Sequence, residues 1–156
     1  MGRRTSGAAI ACAAMIALAG CGGSSGPSLS AFKTAYAARK ASFSALGNQL
    51  SEAISGAAKQ SNAQLATEFG TLAQGATQQA AALRKLDAPS KYKAELSSLS
   101  TSFVTVAADL KGISTDATTG NANGAKTLAE KLVVASAALK TTDTKLTQQL
   151  GLPATG

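Results

Sequence analysis

The chain has 156 residues, with 15 Lys and Arg against 8 Asp and Glu, a formal net charge of +7, and neither histidine nor tryptophan. Without histidine, a Ser-His-Asp or Cys-His catalytic centre is impossible, and imidazole ligation of zinc or haem is excluded. Ser-Lys nucleophile pairs and paired carboxylates need no histidine. The eight acids are scattered through helical patterns, however, and no strand-turn or glycine-loop context marks a serine as nucleophile, so the composition reads as non-enzymatic, with no metal and no cofactor.

In chain order, the first element is a leader. Arg3 and Arg4 give a basic start, Ala8 to Ala19 an apolar run, and Gly20 and Cys21 close it, the layout of a secretory signal peptide. The run falls short of the about 20 residues that a bilayer-spanning helix needs. Leu18-Ala19-Gly20-Cys21 resembles the lipobox of bacterial lipoproteins. That resemblance implies cleavage between Gly20 and Cys21, diacylglycerol on the Cys21 sulfur and an acyl group on the new amino terminus. It makes residues 1–20 the signal peptide and puts the protein on the outer face of the cytoplasmic membrane. The residue types suit the chemistry, because a thiol is nucleophilic enough to take the lipid as a thioether and small neighbours let extended backbone enter a peptidase cleft. Cleavage leaves 13 basic and 8 acidic residues, a net +5, and Cys21 as the single thiol. That is one domain's worth of chain with no disulfide framework.

Residues 21–28 then form the lipidated cysteine and a flexible Gly/Ser/Pro tether, followed by four periodic segments over 29–150 and a tail over 151–156. The first seam is Leu29, Phe32, Tyr36, Arg39, Phe43, Leu46, Leu50, Ala53 and Ala57, with Ser28 or Ser30 as cap. Ser61 or Asn62 caps the second, which runs Leu65, Phe69, Leu72, Ala76, Gln79, Leu83 and Leu86. Asp87-Ala88-Pro89 is a stop and restart, since proline suits the first turn of a helix. The third seam is Tyr92, Leu96, Leu99, Phe103, Val106, Leu110, Ile113 and Ala117. Thr118 to Gly124 reads as a loop with Asn caps, and the fourth seam is Ala125, Leu128, Leu132, Ala135, Leu139, Thr142, Leu146 and Gln149. Four long helices with short connections predict an all-α, up-down-up-down antiparallel four-helix bundle. All six aromatics of the mature chain fall on seam positions, where none can stack on a base, so nucleic acid is not an expected partner.

Anchor, bundle and alanine-rich composition together resemble the small four-helix lipoproteins of high-GC Gram-positive bacteria. That resemblance implies a host and no activity; with no catalytic constellation in the sequence, the chain reads as a non-enzymatic binding or structural module at the cell envelope, or alternatively as a carrier of an apolar small molecule or lipid within the bundle. The expected partner is the membrane through the N-terminal lipid, with anionic lipid or an envelope polymer as a further candidate; the sequence names no protein partner.

Three groups of residues are candidate sites besides Gly20 and Cys21. Arg39, Gln79 and Thr142 are polar at seam positions of similar height, a candidate polar core layer that would fix register or receive a ligand. Arg84, Lys85, Lys91 and Lys93 flank the second turn, on the end shared with the anchor. The half of the bundle nearer that end carries a net +6, against −1 in the far half, making the turn a candidate membrane-facing patch. Leu152, Pro153, Ala154, Thr155 and Gly156 resemble the LPxTG signal by which sortases attach proteins to the cell wall, but the apolar tail and terminal basic residues of that signal are missing.

Overall fold

Ser28 opens the first helix: its hydroxyl accepts from the Ala31 amide, one of the donors that a helix start leaves without a carbonyl. In the computed structural model, which describes residues 27–153, α1 runs Leu29–Gly56, followed by a 3-10 turn Ala57–Lys59. Helix α2 spans Asn62–Arg84, α3 Ser90–Thr119 and α4 Ala122–Gln149. Short connections reverse the chain three times, giving the all-α antiparallel four-helix bundle that the sequence predicts. The leader, Gly20, Cys21 and the tether through residue 26 lie outside the described residues, as do Ala154, Thr155 and Gly156.

Local chemistry accounts for the helix ends. Ser61 and Gln64 form a reciprocal capping box at the start of α2. Pro89 stands just before the first residue of α3. The predicted loop over Thr118 to Gly124 is far shorter than expected, because only Gly120 and Asn121 separate α3 from α4. Gly120, at φ +72°, lets the Asn121 amide reach back to the Asp116 carbonyl at 2.8 Å. The Asn121 side chain in turn accepts from the Gly124 amide at 3.1 Å. One residue therefore both closes α3 and caps α4.

The third seam is buried as predicted at all eight positions, Tyr92 through Ala117, in steps of four and three residues. The other helices depart from that heptad by one residue. In α1 the buried line passes through Tyr36 and Lys40 instead of Arg39 before reaching the half-buried Phe43. In α2 it passes Ala76, Ala80 and Leu83 instead of Gln79. In α4 it reaches Leu146 and Leu150, leaving Gln149 exposed. The cause is shared: a straight helix repeats every 3.6 residues, so a strict seven-residue count drifts off the buried face, and eleven residues over three turns follow it better. Leu29, at the open start of α1, is exposed, and Phe43 is half-buried where the other five aromatics are buried.

Packing is uneven around the bundle. Helices α2 and α3 pack closest, and Ala73, Ala76, Ala80 and Ala107 are among their buried residues. The Ser100 and Ser114 hydroxyls donate across that interface to the Ala80 and Ala66 carbonyls at 3.1 and 2.6 Å. Helix α4 packs on α3. Helices α1 and α4 do not pack backbone to backbone, and side chains bridge the space between them at one end.

Candidate binding cleft

The bridge is polar. Tyr36, with 0 % of its surface exposed, donates its hydroxyl to Asp143 Oδ1 at 2.5 Å. Burial, and then the neighbouring carboxylate, push the Tyr36 phenol well above its ordinary range, so it stays protonated and donating. One turn further along α1, Lys40 is 5 % exposed and its Nζ donates to the Pro153 carbonyl at 2.6 Å. Pro153 is within reach because Gly151, at φ +62°, ends α4 in a Schellman turn: the Leu152 amide bonds the Thr147 carbonyl at 3.0 Å and the Gly151 amide that of Gln148 at 2.9 Å. Leu152 then packs against the core. The start of the predicted tail is therefore part of the bundle.

Beyond this pinned end, α1 and α4 leave a cleft of about 350 Å³. Phe103, Val106 and Leu110 of α3 form its floor, Phe43, Leu46, Gly47 and Leu50 of α1 one wall, and Ser136, Leu139 and Lys140 of α4 the other. Gly47 lines the cleft, and a Cβ built there meets no atom within 4 Å, so a larger residue is accommodated at this position. The Ser136 hydroxyl is buried in the wall without a hydrogen-bond partner, which is unusual for a buried polar group. Ile54 on α1 and Val133 on α4, 40 % and 58 % exposed, lie on the helix faces that carry the cleft walls, one turn beyond Leu50 and one turn before Ser136. The volume is that of a small-ligand pocket with mostly apolar walls and a few polar groups.

The predicted polar layer does not assemble. Arg39 is exposed; Gln79 is half-buried with its Oε1 unpartnered; the Thr142 hydroxyl bonds the Ala138 carbonyl of its own helix at 3.0 Å. The polar group that does form at this height is Tyr36, Lys40 and Asp143, with Lys40 and Asp143 each one residue beyond the expected position. Sequence reasoning missed it through the heptad count. The signal that finds it is the order of the steps: Phe32, Tyr36, Lys40, Phe43 takes two fours before a three where the heptad takes Arg39, and Leu139 to Leu150 spans eleven residues through Asp143.

At the α2–α3 turn, Arg84, Lys85, Lys91 and Lys93 are all exposed. Arg84 Nε donates to the Ser100 hydroxyl at 3.1 Å and Lys91 Nζ lies 5.5 Å from the Tyr92 ring centroid. Tyr92 lies beside Phe32, with ring centroids 5.8 Å apart, so this turn and the start of α1 share one end of the bundle. Among the described residues there is no group of three or more potential metal-ligating side chains, and no helix is long and apolar enough to cross a membrane. The class that fold and site define is a four-helix bundle with a lateral apolar cleft. No family model, curated protein or solved structure matched the chain.

Proposed function

We propose that this chain is a lipid-anchored, non-enzymatic binding module on the outer face of the cytoplasmic membrane, and that it holds an apolar small molecule in the α1–α4 cleft. The cleft is the observation that carries this reading. A bundle with a purely structural role has no use for an unpacked seam, since burying the walls of the cleft would add stability. The LAGC stretch supports the anchor, and the exposed basic turn beside the start of α1 supports an orientation with that end toward anionic lipid. Carrying a molecule between the membrane and the envelope follows from an anchor on a tether joined to a cleft that opens sideways.

The test is fluorescence of an apolar dye, diphenylhexatriene, with the mature chain bearing Cys21→Ser. Emission is expected to rise with the native cleft and to be lost in Gly47→Leu, which adds an isobutyl group at a residue that lines the cleft and where a Cβ causes no clash. Equal emission from both proteins would contradict a binding role for the cleft.

A further inference from the structure

We propose that the cleft takes an unbranched alkyl chain with a single carboxylate head, the chain lying along Leu46, Leu50, Val106 and Leu110 and the head at Ser136 and Lys140. The proposal rests on reading the cleft as a binding site and adds the chemistry of its ligand. Shape comes first. The cleft runs lengthwise between antiparallel helices, from Phe43 to Leu50 along α1, about 10 Å at 1.5 Å per residue. It is closed at one end by the Tyr36–Asp143 bridge and flanked at the other by exposed Ile54. At about 350 Å³ it cannot admit a helix of a second copy, whose diameter with side chains is about 10–12 Å. An extended hydrocarbon chain fits such a slot, and Leu46, Leu50, Val106, Leu110 and Leu139, with the Phe43 and Phe103 rings, give it an apolar lining.

The head follows from the polar groups on the α4 wall. Ser136 and Lys140 are four residues apart and so neighbours on one face. The Ser136 hydroxyl has no partner, and Lys140 is exposed with no hydrogen bond among the described residues. Lys140 offers an ammonium at the lip, and the Ser136 hydroxyl, buried behind it, becomes a second donor to the same anion once its χ1 turns toward the cleft. Asp143, the other charge on this wall, sits toward the closed end with its carboxylate engaged by Tyr36. The two charges of this wall balance, but Lys140 is exposed at the lip whereas Asp143 is half-buried beneath Tyr36, so a head at the lip meets the ammonium first.

The experiment is calorimetric titration of the mature chain, bearing Cys21→Ser, with straight-chain carboxylates of increasing length and with alkyl trimethylammonium ions of matched length, all below their micelle concentrations. Each added methylene should tighten Kd about fourfold until the slot is filled. The carboxylate should bind tighter than the matched cation in the native protein, and Lys140→Glu should reverse that order. Gly47→Leu should abolish both series while keeping its cooperative thermal melt. Equal affinity for the two heads, with both lost in Gly47→Leu, would overturn the anionic-head assignment and leave the apolar cleft standing. No alkyl binding, combined with dye emission that ignores Gly47→Leu, would overturn both.

Discussion

The Tyr36 hydroxyl on α1 donates to Asp143 on α4 at 2.5 Å, joining two helices whose backbones do not otherwise pack. A hydrogen bond to a charged partner contributes about 1.5–3 kcal/mol, so Tyr36→Phe should lower stability by that order and raise hydrogen exchange first in α1. Because the folded phenol is held above its unfolded value near 10.0, its contribution is complete below pH 10 and is lost as pH rises from there toward the folded value. The native protein should therefore lose up to about 1.4 kcal/mol per pH unit more than Tyr36→Phe above that point. Denaturant melts of both proteins through the alkaline range check the difference, and parallel curves would contradict it.

Phe103 is buried on the floor of the cleft, its ring centroid 5.0 Å from that of Phe43. Phe103→Ala should cost about 3–5 kcal/mol, as truncation of an enclosed ring does. It should also widen the cleft and favour bulkier dyes. Equilibrium unfolding gives the first number and dye titration the second effect.

Legibility in the sequence followed the geometry of each helix. Helix α3 touches neighbours on both sides and keeps a strict heptad, so Tyr92 through Ala117 could be read directly. Helices α1 and α2 take two four-residue steps in succession, Phe32, Tyr36, Lys40 and Leu72, Ala76, Ala80, and α4 steps four from Leu146 to Leu150, which exchanges Arg39 for Lys40, Gln79 for Ala80 and Gln149 for Leu150. The bundle was therefore readable while its polar contact was not. The cleft was not legible at all: Leu46, Leu50 and Leu139 are ordinary seam residues, and only the separation of two helices leaves space between them. Fold-back of Leu152 and Pro153 was hidden for a similar reason, since it depends on a buried ammonium 113 positions away.

Cys21 should carry the lipid. Each buried CH₂ is worth about 0.8 kcal/mol, and two chains hold where one is marginal. Cys21→Ser should release the chain from membranes or leave its precursor uncleaved, as read by fractionation and intact mass. Processed wild-type protein without added lipid mass would contradict the anchor.

The α2–α3 turn should bind anionic vesicles. Exposed basic residues beside an anionic surface contribute about 1 kcal/mol each and fade within about 8 Å at physiological salt. Changing Arg84, Lys85, Lys91 and Lys93 to Gln should weaken binding of the unlipidated protein to phosphatidylglycerol vesicles, most at low salt. Equal binding by both proteins, or binding indifferent to salt, would contradict docking through this turn.

The most direct measurement is a methyl NMR titration of the mature protein with decanoate. Occupation of the cleft should shift the methyls of Leu46, Leu50, Leu110 and Leu139, which line it, and leave those of Leu72 and Leu83, on α2, in place. Gly47→Leu should remove the shifts. Unchanged spectra, or shifts spread evenly over both sets and preserved in Gly47→Leu, would contradict a binding site between α1 and α4.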